Sequence, residues 1–169
     1  MMFPTAFLLL SLGAAVTSSY INKFDKPFLF LCPLGESIAS WESYHSNYYE
    51  DRRYRFTCQQ TPQLFNCQWH NKVNNFKAPI SFQCQHDAVI TGVSSYHRNR
   101  PEDREFKFLC CSLQGSPYLA HCVKTDFVND WDQRLTFRVP IRHFLKGVYS
   151  TYSRYYKDRR WQFETCSIQ

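Results

Sequence analysis

The sequence predicts an all-β protein: a single compact, disulfide-stapled domain built on three internal hairpin repeats. Three observations carry that prediction. A six-residue pattern, Asp-Arg-x-aromatic-x-Phe, occurs as Asp51-Arg52-Arg53-Tyr54-Arg55-Phe56, Asp103-Arg104-Glu105-Phe106-Lys107-Phe108 and Asp158-Arg159-Arg160-Trp161-Gln162-Phe163, with the Asp-Arg pairs 52 and then 55 residues apart. Recurrence at a nearly fixed period marks one supersecondary unit used repeatedly. Within each copy aromatic and polar side chains alternate, the period of a half-buried strand. The third observation is eight cysteines, an even count, all of them beyond residue 18; in an exported chain that favours four disulfides.

Taken in order, Met1 to Ser18 carries no charged side chain, and Phe7-Leu8-Leu9-Leu10 leads to the small residues Ala14-Ala15. This reads as a secretory signal, too short to span a bilayer, and leaves residues 19–169 as the mature domain. About 150 residues are enough for one hydrophobic core, and no Pro/Gly/Ser-rich linker divides them. Strands are expected at Phe28-Leu29-Phe30-Leu31-Cys32 and Ile80-Ser81-Phe82-Gln83-Cys84. Val89-Ile90-Thr91-Gly92-Val93 and Val148-Tyr149-Ser150-Thr151-Tyr152 should each lead through a polar loop into an Asp-Arg strand. The cysteines follow the repeat: Cys32 and Cys84 are 52 residues apart, as are Cys58 and Cys110. Cys166 lies one residue further from its Asp than Cys58 does, so it corresponds to Cys111, and Cys110 and Cys111 should face opposite sides of one strand.

The Asp-Arg pairs admit two readings. Asp51, Asp103 and Asp158 can turn the loops while Arg52, Arg104 and Arg159 bond to loop carbonyls or carboxylates; or the arginines form a repeated anion-binding surface. Placement at the same point of three copies favours the fold-defining role. The intervening loops differ: Ser46-Asn47-Tyr48-Tyr49, Arg98-Asn99-Arg100-Pro101 and Ser153-Arg154-Tyr155-Tyr156. Variable tips on a rigid scaffold are where binding resides, and Tyr and Arg contribute most per position at interfaces. Tyr48, Tyr49, Arg98, Arg100, Arg154, Tyr155 and Tyr156 are therefore the ligand-binding candidates. Tyr49, beside Glu50-Asp51, also suits sulfation.

No catalytic residue, cofactor or metal site is expected. His45 and His97 are repeat equivalents, which suits a scaffold role; His70, His86, His121 and His143 fall in no recognisable motif. Gly-x-Ser-x-Gly, His-Glu-x-x-His and phosphate-cradling glycine loops are lacking, as are Cys-x-x-Cys spacings for zinc. The net charge of +6 points to anionic partners such as sulfated polysaccharide. Because the basic residues interleave with acids in an exported chain, nucleic acid is not an expected partner.

The three Asp-Arg-x-aromatic-x-Phe motifs, the adjacent Cys110-Cys111 and the Cys67-Gln68-Trp69 triplet resemble the dermatopontin family, from about Phe28 to Cys166. The resemblance implies a secreted, non-enzymatic extracellular matrix or cell-adhesion protein. It would bind the glycosaminoglycan of a proteoglycan, collagen or a cell-surface receptor, and support collagen fibril organisation. Invertebrate members of the family include agglutinins, so the alternative it implies is a soluble, lectin-like defence protein that binds cell-surface glycans. It also implies the pairings Cys32–Cys58, Cys67–Cys110, Cys84–Cys111 and Cys122–Cys166.

Overall fold

The computed structural model describes residues 19–169; the leader expected over 1–18 lies outside them. The described chain is all-β, with no helix and eleven strands. These are β1 (Phe28–Leu31), β2 (Glu36–Ser46), β3 (Asp51–Gln60), β4 (Leu64–His70), β5 (Ile80–Gln83), β6 (Ala88–Arg98), β7 (Asp103–Leu113), β8 (Leu119–Lys124), β9 (Leu135–Arg138), β10 (His143–Ser153) and β11 (Asp158–Ile168).

Each Asp-Arg motif opens the second strand of a long antiparallel hairpin, β2–β3, β6–β7 or β10–β11. The registers match position by position: His45 faces Arg52, His97 faces Arg104, and Tyr152 faces Arg159. Each hairpin has a four-residue tip whose last residue is left-handed, with φ of 48°, 51° and 47° at Glu50, Glu102 and Lys157. Each carries a bulge in its first strand, between Ile38 and Ser40, Ile90 and Gly92, and Leu145 and Gly147. The extra residue bends and twists the strand, which turns the hairpins towards one another.

The short strands link the hairpins into a cycle. β1 precedes the first hairpin but pairs with β6 of the second. β5 precedes the second but pairs with β10 of the third, and β9 precedes the third but pairs with β2 of the first. The residue after each short strand donates its N–H to the bulge carbonyl of the hairpin it has joined: Cys32 to Thr91, Cys84 to Lys146 and Val139 to Ala39. Gly92 has no side chain because β1 crosses there; a Cβ would stand 2.8 Å from Leu31 Cδ2. No hairpin has its full sheet without its neighbour, so the three form one cooperative body.

Two cysteine pairings are corrected. The structure joins Cys32 to Cys58 and Cys122 to Cys166, but Cys84 to Cys110 and Cys67 to Cys111. The cause is strand pleating: Cys110 and Cys111 point to opposite faces. Cys110 faces the core beside β5, as Cys58 does beside β1, and Cys111 faces the edge strand β4, as Cys166 faces β8. Equal separations express the same equivalence, 26 residues for Cys32–Cys58 and Cys84–Cys110 and 44 for the other two. The corresponding third inter-sheet position holds Val139 and no cysteine. There Phe137 stacks on Phe163 at 4.2 Å between ring centroids, while Phe30–Phe56 and Phe82–Phe108 sit at 4.9 Å beside their disulfides.

The motif aromatics make the core. Tyr54, Phe106, Phe108, Trp161, Phe163 and Trp41 are essentially inaccessible to solvent. They meet mostly edge-on or tilted, as in Phe106–Trp161 at 5.2 Å and Trp41–Trp161 at 5.3 Å, arrangements that suit the ring quadrupoles.

Candidate functional site

At the end of the body where the tips converge, the Asp-Arg pairs close a ring. Arg104 of the second hairpin grips Asp51 of the first, Nε to Oδ1 at 2.6 Å and Nη2 to Oδ2 at 2.7 Å. Arg159 of the third grips Asp103 of the second, both bonds at 2.7 Å. Arg52 of the first grips Asp158 of the third at 2.6 and 2.7 Å. Each guanidinium thus meets the carboxylate of a neighbouring hairpin, not its own. The bidentate fork matches the planar carboxylate, and the side chains on both sides are at most 4% exposed. Buried and clamped on these carboxylates, the arginines offer no fork to an external anion, although Nη1 of Arg104 and of Arg159 is left without a hydrogen-bond partner.

A set of asparagines that the sequence reading passed over completes the ring. Asn22, Asn74 and Asn129 each accept the N–H of the motif aromatic (Tyr54, Phe106, Trp161) and donate to the carbonyl of the motif arginine. Three residues beyond each asparagine, Asp25, Lys77 and Asp132 adopt φ near 62° and donate their N–H to Oδ2 of Asp51, Asp103 and Asp158. The signal was present: Asn-x-aromatic stands 29 residues before every motif Asp, as Asn22-Lys23-Phe24, Asn74-Asn75-Phe76 and Asn129-Asp130-Trp131.

Above the ring, Lys157 reaches Glu102 at 2.7 Å and Glu50 at 3.8 Å. The three left-handed residues of the tips therefore meet as two carboxylates and one ammonium. Tyr152 donates its hydroxyl to the carbonyl oxygens of Pro101 and Glu102, which ties the third hairpin to the second tip. Burial, then the charges of Asp103 and Glu102, push that hydroxyl up to about 12.

Six of the seven residues picked out as ligand candidates sit on these tips and the seventh, Arg98, ends β6 at the foot of one, so the structure brings them to one end. Tyr48 and Tyr155 are each 86% exposed and stand edge-on to Tyr49 and Tyr156. Tyr49 lies flat on Phe24 with centroids 4.6 Å apart, and Tyr156 on Trp131 at 5.7 Å. In the second hairpin the Arg98 guanidinium takes the equivalent seat, 5.4 Å above Phe76. The aromatic of each Asn-x-aromatic motif is thus a pedestal that fixes a tip. Arg98, Arg100 and Arg154 are exposed. Tyr48, Tyr49, Glu50 and Asp25 share a cleft with Asn99 and Glu102 of the second tip.

Among the described residues no cysteine is free, and no helix is long and apolar enough to cross a membrane. The chain is 34% identical over 168 residues to the hemagglutinin/amebocyte aggregation factor of Limulus polyphemus, covering 98% of this chain and 97% of that protein. It is 34% identical over 149 residues to Millepora cytotoxin-1 of Millepora dichotoma, covering 88% and 66%. It is 33% identical over 148 residues to dermatopontin of Biomphalaria glabrata, covering 88% and 99%. No solved structure matches the chain. A family model described as Dermatopontin matches residues 22–169, the whole of the cyclic body with its ring and tips, and the chain belongs to the dermatopontin family.

Proposed function

We propose that this is a secreted, non-enzymatic extracellular matrix and cell-adhesion protein that binds sulfated glycosaminoglycan through its clustered hairpin tips. The observation that carries the reading is the division of arginines. Arg52, Arg104 and Arg159 are consumed by the ring. Arg98, Arg100 and Arg154 stand exposed, Arg98 over the Phe76 ring and Arg154 next to Tyr155 in the chain, and, among the described residues, form no ion pair. Exposed guanidinium forks suit sulfate oxygens, and flat tyrosines suit the apolar faces of sugar rings. The net charge of +6 attracts a polyanion over the Debye length, and four disulfides suit an oxidising exterior.

A second reading, a multivalent agglutinin, is favoured by the matched Tyr48-Tyr49 and Tyr155-Tyr156 tips, since two like sites on one rigid body can bridge two cells. The relative named as a hemagglutinin supports it. A glycan and glycosaminoglycan array at two salt concentrations separates the readings. Binding to sulfated chains that weakens with salt supports the first, because polyanion contacts release counterions. Salt-tolerant binding to one neutral glycan, with sugar-blocked cell agglutination, supports the second and overturns the first.

A further inference from the structure

We propose that two of the three corners of the Arg-Asp ring are binding sites for a divalent metal ion, with zinc the best match. One corner is His97 with Asp25 and Asp51; the other is His45 with Asp132 and Asp158. In each, one ligand atom from each of the three residues lies within 4.8 Å of the others. The corners are built from separate segments, which is why no short metal motif marks them in the sequence.

The argument rests on the imidazoles. Both side chains are 1% exposed. Nδ1 of His45 lies 3.1 Å from Asn47 Oδ1, and Nδ1 of His97 lies 3.3 Å from Asn99 Oδ1. We assign the proton to Nδ1, because a carboxamide oxygen can only accept; the lone pair then sits on Nε2. Nε2 of both rings is buried with no hydrogen-bond partner, and so is Oδ1 of Asp25 and of Asp132. Each Nε2 instead faces another acceptor, Oδ1 of Asp158 or Asp51, across 4.0 Å. Oδ1 of Asp132 and of Asp25 lies 3.4 Å from Nδ1 of the same ring, and a buried Nε2 lone pair that faces a carboxylate oxygen requires something positive between the two.

The donor set selects the ion. One imidazole nitrogen and two carboxylates suit zinc. An Nδ1–H held by an acceptor is the outer-shell arrangement that orients a metal-binding histidine. The motif carboxylates keep capacity: Oδ1 of Asp51 and Asp158 accepts one bond, from Arg Nε, and retains a second lone pair. The first-hairpin corner has a further donor, since Glu50 Oε2 lies 3.9 Å from His45 Nε2; it should hold the ion more tightly. A third acid-cysteine cluster, Cys122, Glu164 and Cys166, carries nothing because its sulfurs are bonded to each other.

The third corner is the internal control. Tyr152 stands in the histidine's register position, and Lys77 replaces the acid at the left-handed corner. With neither imidazole nor second carboxylate, it should bind no metal. Zinc titrated by calorimetry into the chelator-treated, disulfide-intact chain should therefore saturate at two ions per chain. His97→Tyr and Asp25→Lys, which copy residues the third corner already accommodates, should each leave one site. The double variant His45→Tyr/His97→Tyr should leave none, with an unchanged far-ultraviolet circular dichroism spectrum. No saturable binding to the parent chain would overturn the proposal and assign the gap to a water or a proton. Undiminished stoichiometry in the folded double variant would also overturn it, showing adventitious surface binding only.

Discussion

The ring and the tips are adjacent parts of the same hairpins and obey opposite rules. In the ring the same three residue types, Asp, Arg and Asn, recur in every copy with the same partners and nearly the same distances. At the tips, a few residues along each strand, the copies diverge to Tyr-Tyr, Arg-Asn-Arg-Pro and Arg-Tyr-Tyr. The ring is where each hairpin needs its neighbour, so a change in one copy leaves a partner unmatched in another. The tips need only to be held up, by Phe24, Phe76 or Trp131, and can take any chemistry above that seat. What repeats secures the body; what varies meets the outside.

The largest test of this contrast is Arg104→Ala. It strands the buried Asp51 carboxylate and its Asp25 N–H contact, and loss of one partner of a buried pair costs about 3–5 kcal/mol. Urea unfolding should show a correspondingly lower midpoint. Arg100→Ala, at an exposed tip, should stay within about 0.5 kcal/mol of the parent.

Next are the covalent links between sheets. Replacing Cys84 and Cys110 by Ala opens a loop with a separation of 26 residues, for which the entropic model gives a loss of about 3.5 kcal/mol. The unstapled third junction allows the reverse experiment. Val139→Cys with Thr165→Cys places cysteines at the corresponding positions, and a fifth disulfide in peptide maps, with a rise in melting temperature, is the expected outcome.

A smaller effect concerns alkaline pH. Tyr152 ionises near 10 in an unfolded chain but is held up to about 12 in the fold by burial and by Asp103 and Glu102. The folded state therefore binds more protons, and stability should fall as pH rises from about 10 towards 12. Tyr149 adds to the same limb, pushed up to about 12 by burial and its bond to Glu164. Tyr152→Phe should flatten the decline measured by urea unfolding across that window.

Much of this body was legible in the sequence and some was not, for physical reasons. Period-two alternation exposes the motif strands because their aromatics face the core and their charges face out. β4 and β8 gave no such signal: as edge strands they are almost wholly exposed, and burial patterning cannot mark a strand that buries little. The cyclic exchange of β1, β5 and β9 was also hidden, since a short strand's composition does not say which hairpin it joins. The Asp-Arg motif was visible, yet its partner was not, because the carboxylate each arginine grips lies 53, 56 or 106 residues away. The tip candidates were chosen from loop variability and from their Tyr and Arg side chains; their aromatic pedestals needed the Asn-x-aromatic spacing to be noticed.

The most direct test of the division between ring and tips is the affinity of one variant, Arg98→Ala/Arg100→Ala/Arg154→Ala, for immobilised dermatan sulfate across a salt series. The account predicts the parent's melting temperature with markedly weaker binding and a shallower dependence on salt, as fewer counterions are released. A stable triple variant that binds as the parent does, with the same salt slope, would contradict it.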